Sequence, residues 1–232
     1  MKIGIIGAMK SEVAHLVSQM NIEHTHEQAR MTFYEGFLGN APVVVVQSGI
    51  GKVNAATCTQ ILIDTFKVSH VINTGIAGLL NPELSVGDIV VSKDLVQHDM
   101  NVIPLDFEAG QVPGLPVFSF AADADLMNRA LLSVQENIPE LQVISGRIAS
   151  GDQFISSVED ADYIRTTFDA DCCEMEGASI AQVAWLNHVP FVVIRLMSDK
   201  PGMTSSIDYA SFESEASERS AQITASIIKK LT

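Results

Sequence analysis

The stretch PFVVIRLMSD, residues 190–199, decides how this chain folds. Residues 191–197 are apolar except for Arg195. An unbroken apolar run of this length, entered from a proline and left through the polar pair Ser198-Asp199, is the pattern of a parallel β-strand covered on both faces. Runs that read as strands recur upstream at residues 3–6, 70–74, 88–95 and 143–150, with a short one at 172–174. Between them lie segments of helical period. One starts at about Lys10, with Val13, Leu16, Val17 and Met20 on one stripe; others span 52–66, 123–137, 160–168 and 178–187, and a closing helix covers 209–231. The runs 32–38 and 42–47 form a hairpin across Gly39-Asn40, the polar residues around His24 and His26 read as a connection, and 98–118 is a long loop. Strands alternating with helices place the chain in the α/β class.

Composition narrows the function. A chain of 232 residues, 47% apolar, closes one sizeable core, and no linker, repeat or low-complexity tract divides residues 1–232, so a single domain is expected. The opening MKIGIIGAMK is not a signal peptide, and no stretch reaches the roughly 18 apolar residues of a membrane span. A cytoplasmic protein without a membrane partner follows. The net charge of −14, from 28 acidic against 14 basic residues, repels phosphate backbones and argues against a nucleic-acid partner. A small neutral or cationic ligand is favoured. Cys58, Cys172 and Cys173 are odd in number and lack metal-ligand spacing, so they read as reduced core residues.

In an open α/β sheet the ligand lies beyond the carboxyl ends of the strands, which directs attention to residues 7–12, 73–78, 174–177 and 198–199. Glu12 has two readings: a carboxylate favoured by the helix dipole, or a cleft-lip acid, since the helical wheel sets it about 40° from Leu16. Glu174 and Glu176 would share a face on a continuing strand. Two acids there are costly unless one is paired or turns away, and Gly177 is expected to relax the backbone so that the chain turns just after Glu176. Asp199 is either an Asx-turn residue or one of three acids converging on the sheet edge. The segment 48–52, SGIGK, lacks the spacing and the Ser or Thr of a phosphate loop, and Gly4-Ile5-Ile6-Gly7 lacks the dinucleotide fingerprint. No metal set is found, and His24 and His26 read as solvated loop residues.

The blocks MKIGIIGAM with Glu12, SGIGKVNAA at 48–56, NTGIAG at 73–78, VGDIVVS at 86–92, SGDQFI at 150–155, EMEGASIA at 174–181 and PFVVIRLMSD at 190–199 together resemble the 5'-methylthioadenosine/S-adenosylhomocysteine nucleosidases of the nucleoside phosphorylase superfamily. The resemblance spans essentially the whole chain. It implies a three-layer sandwich around a mixed, mostly parallel twisted sheet, no cofactor, no metal, adenine nucleosides as ligands and a homodimer. It implies that Asp199 protonates adenine N7, Glu12 activates water and Glu176 holds the ribose hydroxyls, with Arg195 and Ser198 positioning Asp199. Ala77 and Gly78 would border the substrate, Phe154 would stack on adenine, Ile155 would read its edge through the backbone, and Met175 would lie under the ribose. Met9, Ile50 and Tyr209 would form the 5' pocket, with Val102 and Pro113 reaching it from a neighbouring subunit. Against the family pattern, Ile76 replaces a Ser, Leu105 an aromatic residue and Gly177 an Ala; loss of the hydroxyl at Ile76 is expected to disturb the setting of Asp199. The alternatives are a purine nucleoside phosphorylase, a futalosine-type or AMP-type nucleosidase, and a non-catalytic nucleoside-binding module of the same fold.

Overall fold

The structure, a computed structural model, describes the backbone of residues 1–202 and 206–231 and the side chains of 1–202 and 215–228. Its strands are β1 (Ile3–Gly7), β2 (Asn21–Gln28), β3 (Met31–Leu38), β4 (Ala41–Gln47), β5 (His70–Leu79), β6 (Ile89–Gln97), β7 (Phe120–Ala121), β8 (Val143–Ser150), β9 (Cys172–Glu174) and β10 (Phe191–Asp199). Its helices are α1 (Lys10–Gln19), α2 (Lys52–Asp64), α3 (Ala124–Asn137), α4 (Val158–Phe168), α5 (Gly177–Leu186) and α6 (Ser206–Leu231), with one 3-10 turn at Ile103–Leu105. Strand β5 is the hub of a mixed sheet, parallel to β1 and β10 and antiparallel to β9. The path β10-β6-β8-β9 returns to β5, while β1-β4-β3-β2 extends outward as an open sheet.

Strand alternation sorts the apolar residues into two cores. Ile3, Ile5, Val43, Val45, Val192, Ile194 and Leu196 meet the apolar stripes of α1, α3 and α6. Ile6, Val44, Val46, Phe191, Val193 and Met197 face α2 and α5 instead. Helices thus cover both faces, as the run 191–197 requires, and the three layers are in place. Arg195 has the parity of Val193 and Met197, so the same alternation turns its guanidinium toward α5. No described helix is long and apolar enough to cross a membrane.

Three expectations change. Residues 21–28 are an edge strand, β2, paired with β3 through a turn in which Ala29 and Arg30 take left-handed φ of 51° and 62°. His24 and His26 are therefore strand residues, and His26 packs edge-on against Phe66 with ring centroids 5.3 Å apart. Strand β5 continues to Leu79, so the segment 73–78 lies within a strand and not beyond its end. Finally, Gly177 has no positive φ and serves by its lack of a side chain: a Cβ there would come within 2.8 Å of Leu95 Cδ2 and 3.1 Å of Glu174 Oε1.

Candidate active site

Four acids from four elements meet in one cleft. Glu12 comes from the first turn of α1, Glu174 from the end of β9, Glu176 from the N-cap of α5 and Asp199 from the end of β10, and all four line the same cavity. The cavity also takes in Met9, Ile50, Ala77, Gly78, Phe154, Ile155, Met175 and Ser198, each singled out in the sequence, together with Ile76. Ala8, Gln153 and Cys173 complete the described lining, with no site role expected from the sequence. Gln153 had a signal, since it sits inside the block that carries Phe154.

Glu12 satisfies both of its readings. Its Oε2 accepts the Met9 backbone N–H at 2.9 Å, the reach-back of a helix cap, while Oε1 accepts the Ile76 N–H at 3.2 Å from β5. The carboxylate keeps acceptor capacity for a water or substrate hydroxyl. Burial pushes the Glu12 carboxyl up, against the pull of Arg195 and of the Met9, Ile76 and Ala8 N–H groups. Gly75 makes this approach possible: a Cβ there would stand 2.5 Å from Glu12 Oε1.

Glu174 and Glu176 are separated by the end of β9. Glu174 turns inward, where its carboxylate pairs with the Arg195 guanidinium, accepts the Ser150 hydroxyl, and receives the N–H groups of Glu176 at 3.1 Å and Gly177 at 2.7 Å. It is the paired acid that the sequence required. Glu176 is held from across the cleft by the Gly51 N–H at 2.8 Å on Oε1. Burial, then repulsion from Glu174, push its carboxyl up to about 8, against Arg195 and Gly51. Because the folded-state value is raised, the native protein has this stability in full below the ordinary carboxylate range and loses it as pH rises toward about 8. Glu176→Gln keeps an acceptor for Gly51 without that loss. Its melting temperature is expected to exceed the native one at pH 8, with the stability gap widest there and shrinking toward pH 4.5. A gap that does not change with pH would mean that Glu176 ionises in the folded protein as it does in the unfolded chain.

Asp199 is buried, accepts the Ser198 hydroxyl on Oδ1 at 2.6 Å, and lies opposite Gly78 just past a register shift in β10. Such irregularities re-aim a side chain at the end of a strand. Burial pushes its carboxyl up, opposed by the Ser198 hydrogen bond.

One expectation about this acid is corrected. Arg195 neither lines the cleft nor reaches Asp199; it is buried among Glu174, Asn73 Oδ1 at 2.6 Å and the Ile194 carbonyl, and four residues of strand, about 13 Å, separate it from Asp199. Ile76 lies opposite Leu196 and serves Glu12 through its N–H, so the hydroxyl beside Asp199 is supplied by Ser198. Val102 and Pro113 lie on the long loop away from this cleft, and the side chain of Tyr209 lies outside the described residues. The thiols of Cys58, Cys172 and Cys173 are buried and free, and burial pushes Cys173 up to about 12.

Residues 2–229 match the family model of the phosphorylase superfamily. A 5'-methylthioadenosine/S-adenosylhomocysteine nucleosidase of Anoxybacillus flavithermus is 43% identical over 232 residues, which cover 100% of this chain and 99% of the relative. The solved structure of a nucleosidase of that name from Colwellia psychrerythraea, in complex with adenine, has a TM-score of 0.94 at 40% identity and covers 100% of this chain and 96% of its own. The futalosine hydrolase of Helicobacter pylori has a TM-score of 0.92 at 30% identity, covering 99% of this chain and 97% of its own. With the fold matched end to end and relatives of this identity along its full length, the chain belongs to the phosphorylase superfamily and, within it, to the 5'-methylthioadenosine/S-adenosylhomocysteine nucleosidases.

Proposed function

We propose that the protein hydrolyses the N-glycosidic bond of 5'-methylthioadenosine, S-adenosylhomocysteine and 5'-deoxyadenosine, releasing adenine and the 5-substituted ribose. The observation that carries this reading is the charge of the cleft: its described lining holds Glu12, Glu174, Glu176 and Asp199, and no Lys, Arg or His. A phosphorylase must bind a phosphate anion through cationic donors at the ribose face. A described lining without a cation offers that anion no charge-assisted donor, so water is the nucleophile. Asn73, at a position where a phosphorylase would need a cation, is buried and spends its side chain on Arg195 and the Ile6 carbonyl.

The acids divide the chemistry. Adenine leaves poorly until N7 is protonated, and C1' gains positive charge as the bond to N9 breaks. Asp199, whose burial favours its protonated form, gives its proton to N7. Glu12 orients a water on the opposite side of C1' and takes its proton as the new C–O bond forms. Glu176 grips the ribose hydroxyls, and its ionised form, favoured by Arg195 and the Gly51 N–H against burial, stabilises the developing cation. Phe154 stacks on the base, the backbone at Ile155 reads its edge, Met175 lies under the ribose, and Met9, Ile50 and Tyr209 receive the apolar 5' substituent. The 232 residues act as one nucleosidase domain in the cytoplasm, without cofactor or metal.

Methylthioadenosine incubated with and without phosphate tests the reading. Adenine and free methylthioribose under both conditions are expected; the 1-phosphate would mark a phosphorylase, and no product a binding module. Parallel incubation with futalosine separates the hydrolase reading suggested by the Helicobacter pylori structure.

The same reading makes the protein a homodimer. Ile50, Val53, Ile103, Leu105 and Phe154 are large apolar side chains, each more than half exposed, and Ile50 and Phe154 belong to the cleft. A second copy whose Val102 and Pro113 close the 5' pocket would cover such surface. Light scattering is expected to give twice the chain mass, and a fully active monomer would remove the shared pocket.

A further inference from the structure

The turn that gives Glu176 its hydrogen bond is tied down by groups outside the cleft. Lys52, next to Gly51, reaches Asp99 Oδ1 at 2.6 Å and Gln97 Oε1 at 3.0 Å through Nζ. Asp99 Oδ2 in turn accepts the Asp152 backbone N–H at 3.0 Å, and Asp152 Oδ1 accepts the Lys52 backbone N–H at 2.8 Å. The contacts close a ring that links the turn after β4, the turn after β6 and the loop after β8. The Lys52 carbonyl is pinned as well, by the Ser179 hydroxyl at 2.8 Å. Gly51 is in a left-handed conformation, with φ 96°, and a Cβ on it would stand 3.0 Å from Asp152 Oδ1, so its peptide is pressed against the ring. Lys52, Asp99 and Asp152 do not line the cleft. Burial pushes the Asp99 carboxyl up, and the Lys52 ammonium and Asp152 N–H outweigh it, leaving Asp99 below the ordinary carboxylate value.

We propose that Lys52 and Asp99 are positioning residues for glycosidic cleavage, holding the Gly51 N–H on Glu176 Oε1 so that the carboxyl stays aimed at the ribose and its ionised form is favoured. The inference rests on the role given to Glu176 above. A donor held on an anionic carboxylate favours the anion, and a donor free to swing away does not. The charged groups facing Glu176 are Glu174 from β9, Arg195 from β10 and Glu12 from α1, and His98 lies beside the Lys52–Asp99 pair. None of these holds Gly51.

Asp99→Asn separates positioning from simple charge. Deleting a negative group would by itself favour ionisation of Glu176 and move the acidic limb of kcat/KM to lower pH. If the pair acts by holding Gly51, the limb moves up by about one pH unit, which is about a tenfold loss at pH 7, while Lys52→Arg, which keeps the ion pair, stays near native. In the same variant the Gly51 amide is expected to exchange with deuterium at least about tenfold faster. A limb moved down, or a lower melting temperature with both limb and Gly51 exchange unchanged, overturns the proposal. If Asp99→Asn does not fold, Lys52→Met is read for Gly51 exchange in its place, with unchanged exchange again decisive against it. Should the native protein release no adenine, the functional reading fails, while Gly51 exchange and a carbon-13 titration of Glu176 still decide whether the ring sets its ionisation.

Discussion

Asp199→Asn is expected to lower turnover of methylthioadenosine at neutral pH by at least about 10², the lower end of what a general acid contributes, with the fold intact. The loss follows from chemistry and not from shape. Asn fills the same volume at the end of β10 and can still accept the Ser198 hydroxyl, which engages only Oδ1. It has no acidic proton to give N7. The raised carboxyl of Asp199 predicts a matching pH profile: the native rate falls on the alkaline side as Asp199 loses its proton, and this limb is absent from the variant. Steady-state kinetics beside a melting curve check both statements. A variant with near-native turnover, or one that keeps the alkaline limb, would take Asp199 out of proton transfer.

Arg195→Met is expected to destabilise the fold by about 3–5 kcal/mol, the cost of leaving a buried charge without its partner. Arg195 and the Glu174 side chain are 2% and 3% exposed, so neither can be solvated in the other's absence. Met reproduces much of the aliphatic stem but strands Glu174, whose carboxylate also organises the N–H groups of Glu176 and Gly177. The double variant Arg195→Met with Glu174→Gln removes both charges and should recover part of the loss, so the two single costs will not add. Chemical denaturation of the four proteins measures the coupling. Additive losses would show that the pair is not energetically linked.

The legibility of the chain differed by element. Strand β10, helix α3 and the short strand β9 were readable because each carries a one-dimensional signal: a two-sided apolar run, an amphipathic stripe behind the Asp123 cap, and an apolar step between turns. Strand β2 was not, since all eight of its residues are exposed and its turn bends through Ala29 and Arg30 without a glycine. An edge strand needs backbone partners more than an apolar face, and charged side chains suit it. The glycines of β5 misled for a related reason: Gly75 and Gly78 suggest a strand end, yet they sit inside the strand where side chains of α1, β9 and β10 come close.

The sequence by itself determined the α/β class, the membership of Glu12, Glu176 and Asp199 in one site, and the exclusion of a phosphate loop, because local periodicity and short motifs encode these. The tertiary structure alone decided how the acids divide. Glu174 and Glu176 are the same residue two positions apart, and only the end of β9 shows that one is paired with Arg195 while the other takes the Gly51 N–H. Arg195 looked like a partner of Asp199, four residues along the chain, until the strand set them about 13 Å apart and brought Glu174 and Asn73 to the guanidinium. Partners far apart in sequence, such as Glu12 with Ile76 or Gly51 with Glu176, leave no mark on local pattern. Electrostatics depends on distance and burial, and both are set when the strands come together.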